Sequence, residues 1–124
     1  MPSPTQHTGF GFEAEAEAFL SARGYRIVAR NWRGGGGEVD RIGWDGEILC
    51  FVEVRSRKGA GHGRPAETVG KKKQQKVVRA ALAFLCQEAK GRWPMVRFDV
   101  VAIVADEGRF ELFQNAFDVG PGAY

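Results

Sequence analysis

Two acids stand in the segment GGGGEVDRIGWDGEILCFVEVRSR, Gly34 to Arg57, where a β-hairpin would carry apolar side chains: Asp40 and Glu53. Asp45-Gly46 marks a turn between two runs rich in β-branched and aromatic residues, so Glu38 to Trp44 and Ile48 to Arg55 are expected to pair antiparallel. Alternation puts Glu38, Asp40 and Ile42 on one face of the first strand and Leu49, Phe51, Glu53 and Arg55 on one face of the second. Two carboxylates and a guanidinium then project together beside bulky apolar neighbours, which is costly unless something neutralises them. A divalent cation would do so. Oxygen ligands with room for water suit Mg²⁺ (or Mn²⁺), and such an ion activates water and stabilises the charge of a phosphoryl-transfer transition state. The plain alternative is an ion pair of either acid with Arg41, Arg55 or Arg57.

A third acid, Glu13, borders the apolar stripe of an amphipathic helix and can lean towards the sheet, although Glu15 and Glu17 close by make it one of several helical acids. Basic residues gather downstream. The stretch RSRKGAGHGRPAETVGKKKQQKVVR holds Arg55, Arg57, Lys58, Arg64, Lys71, Lys72, Lys73, Lys76 and Arg79 against the single acid Glu67. Such a cluster suits a polyanion through counterion release, or is simply a solvated helix face.

The elements that must position these groups follow from periodicity. A helix is expected over about Gly9 to Arg23, with Thr8 as its N-cap, Phe12, Ala16, Phe19 and Leu20 as its stripe and Gly24 as its stop. Tyr25 to Trp32 reads as a strand, and Gly34 to Gly37 as a loop or turn that lacks the Lys-Ser/Thr of a phosphate-binding loop and lets a substrate approach the backbone closely. The strand ILCFVEV is apolar on both faces and so belongs at the centre of a sheet covered on both sides. A second helix, about Lys71 to Lys90, covers one side with Val77, Val78, Ala81, Leu82, Leu85 and Ala89. Strands Arg97 to Ala105 and Arg109 to Phe113 complete an α/β sandwich of order α-β-β-β-α-β-β around one mixed sheet. Residues 1–8 form a polar lead, 9–113 the domain and 114–124 a tail over the surface.

The chain has 124 residues, of which 44% are hydrophobic, enough for a real core and too many for a disordered chain. No apolar stretch approaches the roughly 20 residues of a membrane span and no signal-peptide block opens the chain, so a soluble cytoplasmic protein is expected. Cys50 and Cys86 read as small core residues, His7 and His62 as solvated, and Asp99 as structural, paired with Arg97 or Arg55. The loop Ser56 to Gly70 is long enough to close over a nucleic-acid strand.

The pieces GFGFEAEAEAFLSARGYRIVARN, GGEVD, FVEVRSR, KQQKVVRAALAFL and RFDVVAI, in that order, resemble the YraN family of bacterial proteins, a group related to the PD-(D/E)xK nuclease superfamily. The resemblance implies an αβββαβ core like that of Holliday-junction resolvases and restriction endonucleases. It makes Asp40 and Glu53 the two motif acids that would ligate Mg²⁺ with the Val54 carbonyl, Glu13 the helical acid of resolvase-like branches, and Gln74 a helix residue near the site. Arg55 stands at the usual lysine position. Arginine effectively never loses its proton, so it can orient a phosphate but cannot be a general base.

Three functions fit this reading. One is a Mg²⁺-dependent endonuclease acting on branched DNA, in which Arg57, Lys58, Lys71, Lys72, Lys73, Gln74 and Lys76 contact nucleic acid. Another is an inactive module on the same scaffold that binds DNA or RNA, and the third an adaptor whose basic helix docks an acidic protein. By analogy with resolvases, a homodimer would supply the two sites that symmetric cutting needs.

Overall fold

Residues 10–57, 69–88, 92–104 and 107–118 are described by the computed structural model. They form α1 (Phe10–Ala22), β1 (Arg26–Gly34), β2 (Gly37–Asp45), β3 (Ile48–Arg57), α2 (Lys71–Glu88), β4 (Met95–Val104) and β5 (Arg109–Phe117). The strands make one sheet in the order β1-β2-β3-β4-β5, antiparallel throughout except for the parallel β3–β4 pair. A parallel pair needs a crossover, and α2 lies on it.

The two-sided apolar character of β3 is explained by its central place. Leu49 and Phe51 join the layer beneath α2, with Val77, Ala81, Phe84 and Phe98, while Cys50 and Val52 join the layer beneath α1, with Ala16, Leu20 and Val101. The chain is therefore the expected mixed α/β sandwich, one helix on each face. None of the described helices is long and apolar enough to cross a membrane.

Helix α1 stops where expected. Gly24 takes φ 97°, and the N–H of Tyr25 closes the end by donating to the Leu20 carbonyl at 3.1 Å.

The glycine run forms a turn packed against α2. Gly35 and Gly36 take φ 61° and 78° in a two-residue hairpin turn, with Gly34 paired to Gly37. A Cβ on Gly37 would collide with the Lys76 carbonyl oxygen and lie 2.8 Å from the Ala80 nitrogen, so the bare backbone admits α2 itself.

Two further expectations are corrected. Cys86 is exposed on α2, and only Cys50 is buried. Residues 114–117, expected in a surface tail, continue β5: Phe117 is buried and stacks on Phe98 with ring centroids 5.1 Å apart. A bulge hides this continuation from the sequence. The register shifts between Phe98 and Val100, Asn115 takes φ 55°, and its freed N–H donates to Asp99 Oδ1 at 2.9 Å. Thr8, Gly9, His7, Lys58, His62, most of the Ser56 to Gly70 loop, Ala89, Lys90 and the tail past Asp118 lie outside the described residues.

Candidate functional site

The β2–β3 ladder ends at the Arg41–Val52 pair, and beyond it side chains replace backbone pairing. Asp40 Oδ2 accepts the N–H of Val54 at 2.9 Å, while Glu53 Oε1 accepts the N–H of Asp40 at 3.2 Å. Past the end of the ladder these two backbone amides are satisfied by carboxylates.

Glu53 is fully buried. Burial first, and then the charge of Asp40, push its carboxyl from an ordinary 4.5 up to about 8, against the lowering influence of Lys73, Arg55 and the Asp40 N–H. Its second oxygen, Oε2, is buried and has no hydrogen-bond partner among the described residues. Lys73 Nζ and Arg55 Nη2 stand 3.6 and 3.9 Å from it, attractive in charge but too far to be hydrogen bonds. Arg55 Nε is likewise buried and unpartnered. Glu13, Asp40, Glu53, Arg55 and Lys73 line one cleft of about 340 Å³, with Phe12 as part of its wall. A larger groove of about 450 Å³, lined by Trp44, Phe84, Leu85 and Trp93, is mainly apolar and holds none of the expected site residues.

Strict alternation in β2 does not hold. Val39 and Ile42, three residues apart, are both buried in the layer beneath α2, so the facing of the strand changes between them, at Asp40 and Arg41. Val39 is the residue out of phase, and Arg41, next to Ile42, faces α1 as alternation from Ile42 requires. Only 5% exposed, it donates to Glu17 at 2.7 Å, to Glu13 at 3.1 Å and to the Asp40 carbonyl at 2.8 Å. Arg41 thus pairs with the acids of α1 and leaves the Asp40 and Glu53 carboxylates to the cleft. Glu13 reaches the cleft as expected, but in the grip of Arg41. Burial and the Asp40 charge raise its carboxyl above the ordinary range, with Arg41 pulling it down.

The basic residues divide. Lys71, Lys72 and Lys76 are exposed. Lys73 instead turns inward, its side chain 22% exposed, and donates to Glu38 at 3.0 Å. Burial alone would lower its ammonium, but Glu53, the Glu38 hydrogen bond and Asp40 outweigh it and raise it. The signal for this was present: Lys73 stands four residues before Val77 and in phase with Phe84, on the buried stripe of α2. Gln74 is turned back, its amide donating to the Val69 carbonyl at 2.8 Å. The side chain of Arg57 lies outside the described residues.

Asp99 has a separate, structural place. It accepts from Tyr25 Oη at 2.7 Å and from Arg97 Nε and Nη2 at 2.8 and 2.9 Å, so Arg97 and not Arg55 is its partner.

Residues 12–103, which contain both acids and the cleft, match the family model described as uncharacterised protein family UPF0102. The chain belongs to this family. UPF0102 is the group the sequence pieces resemble under its other name, YraN. Its UPF0102 relatives include a protein of Anaeromyxobacter dehalogenans, 48% identical over 86% of this chain and 80% of its own. Another, from Chlorobaculum tepidum, is 46% identical over 81% of this chain and 77% of its own. A third, from Desulfosudis oleivorans, is 40% identical over 99% of both chains.

Among the described residues of this UPF0102 chain, no group of three or more His, Cys, Asp or Glu side chains is arranged to hold a metal ion. The two strand acids still fit Mg²⁺. That ion takes one or two carboxylates and keeps several waters, and the buried Glu53 Oε2 has no hydrogen bond among the described residues.

Proposed function

We propose that this UPF0102 chain is a Mg²⁺-dependent phosphodiester hydrolase of the PD-(D/E)xK type that acts on DNA, with branched DNA as its preferred form. One observation carries the reading: a fully buried carboxylate, Glu53, keeps one oxygen without a hydrogen bond while a second acid and an arginine face the same cleft. Lys73 and Arg55 pair with that oxygen by charge at 3.6 and 3.9 Å, and among the described residues neither hydrogen-bonds it.

Asp40 and Glu53 would hold the ion, which when bound supplies an activated water and neutralises charge on the phosphoryl oxygens. Arg55, a third exposed, offers its guanidinium to the non-bridging oxygens of the phosphate. Arg41 fixes the Asp40 backbone through its carbonyl, so the acid keeps its orientation. Lys71, Lys72 and Lys76 meet the flanking phosphates without reading bases.

Arginine at the lysine position favours a second reading, an inactive module that binds nucleic acid through the same face. A nuclease panel separates the two. Wild type and Glu53→Gln are compared on duplex, forked and four-way DNA and on structured RNA, with Mg²⁺ and with EDTA. The first reading expects Mg²⁺-dependent cutting that Glu53→Gln abolishes while binding persists. Binding that is salt-sensitive, indifferent to EDTA and never followed by cutting would establish the second.

A further inference from the structure

Four basic residues of one helix, Lys71, Lys72, Lys73 and Lys76, look equivalent in sequence, yet one occupies a place that suits a cation poorly. Lys73 sits in the first turn of α2, where the helix dipole disfavours positive charge, and its side chain is mostly buried. Something must hold it there. Glu38 does, at 3.0 Å, and Glu38 is itself flanked by Arg33 at 3.4 Å. The consequence of this arrangement is a position: the Lys73 ammonium is 3.6 Å from Glu53 Oε2, at the wall of the cleft and opposite Asp40.

Lys73 pairs with Glu53 by charge at 3.6 Å, longer than the about 2.7–2.9 Å of a charge-assisted hydrogen bond. Among the described residues its one hydrogen-bond acceptor is Glu38, and Lys73 lines the cleft. Arg55 approaches the same oxygen from β3, at 3.9 Å. Both cations line the same cleft as Asp40 and Glu53.

We infer that Lys73, delivered by Glu38, is the ammonium that contacts the reacting phosphate, and that it differs in role from the exposed Lys71, Lys72 and Lys76, which hold flanking backbone. Glu38 is the positioning residue. The inference rests on the proposed metal-dependent reading of the cleft. It assigns to α2 the cationic contact that Arg55 alone, with one buried nitrogen unpartnered, leaves incomplete.

The test is calorimetric binding of oligothymidylate to wild type, Lys73→Ala and Lys72→Ala, each with Ca²⁺ as a non-turnover ion and again with EDTA. Lys73→Gln, which keeps a hydrogen-bond donor for Glu38, stands in should the alanine variant fail to fold. With Ca²⁺ the loss of Lys73 is expected to weaken binding about tenfold, the scale of one charged hydrogen bond, and with EDTA to change it little. Loss of Lys72 is expected to weaken binding alike in both conditions and to lower the salt slope by about one. Equal, Ca²⁺-independent losses in the two variants would overturn the inference while leaving the metal site intact. A wild type that takes up no divalent ion would instead remove the metal-dependent reading, and this inference with it.

Discussion

Asp40 and Glu53 fasten each other's strands: the Glu53 carboxylate accepts the backbone N–H of Asp40 at 3.2 Å, and the Asp40 carboxylate accepts the N–H of Val54, the residue after Glu53, at 2.9 Å. The exchange sits where the β2–β3 ladder stops. Each acid spends one oxygen on structure, and Glu53 keeps its other oxygen for the cleft.

The first prediction concerns pH. The folded chain raises the Glu53 carboxyl from 4.5 to about 8, so between those values it retains a proton that the unfolded chain has lost. Stability of the metal-free protein is therefore full near the lower value and falls as pH rises towards the upper one, by roughly 1.4 kcal/mol per pH unit for one proton. Glu13 shifts in the same direction. Glu17 and Glu38 are lowered, chiefly by hydrogen bonds from Arg30 and Lys73, so their contributions are lost only in more acid solution and do not offset the fall. Thermal melts in EDTA across this range should show the decline, and Glu53→Gln should flatten most of it. An unchanged slope in that variant would mean that Glu53 is not the titrating group.

Arg41 provides the second. Nearly buried, it binds Glu13, Glu17 and the Asp40 carbonyl, so Arg41→Met takes from Glu13 its guanidinium partner and leaves Glu17 to Arg30 alone. Urea unfolding should report a loss of about 3 kcal/mol, with Arg41→Lys intermediate. A loss within the range of ordinary surface substitutions, about 0.5 kcal/mol, would show that the guanidinium does not tie the helix down.

Gly37 gives the third. Its missing Cβ is what lets the β1–β2 turn press against the backbone of α2 at Lys76 and Ala80. Gly37→Ala must move the helix, and with it Lys73. The variant should lose at least about 2 kcal/mol of stability, whereas Gly46→Ala, where a Cβ meets nothing, should lose less, limited to the strain of its φ of 61°. Equal losses at the two glycines would contradict the close approach.

Much of this was legible because periodicity is a local property. The apolar stripe of α2, the two-sided β3 and the turns at Gly46 and Gly35-Gly36 follow from residue order alone, and so did the pairing of Asp40 with Glu53. What escaped depended on breaks in that order. Asn115 at a positive φ hid the end of β5, and the change of facing between Val39 and Ile42 hid the burial of Val39 beneath α2. Lys73 was grouped with its neighbours because three consecutive lysines read as one basic run, although only one of them falls on the helix face that meets the sheet. Glu13 was placed correctly in the cleft, but its partner could not be read, since Arg41 reaches it across 28 positions of chain.

The most direct measurement is a calorimetric titration of wild type and Glu53→Gln with Mg²⁺ and Mn²⁺, in the absence of nucleic acid and at several pH values below about 8. The account predicts uptake of an ion by the wild type with release of a proton, tightening about tenfold per pH unit, and loss of that uptake in a folded Glu53→Gln. No uptake by the wild type, or unchanged uptake by Glu53→Gln, would contradict it.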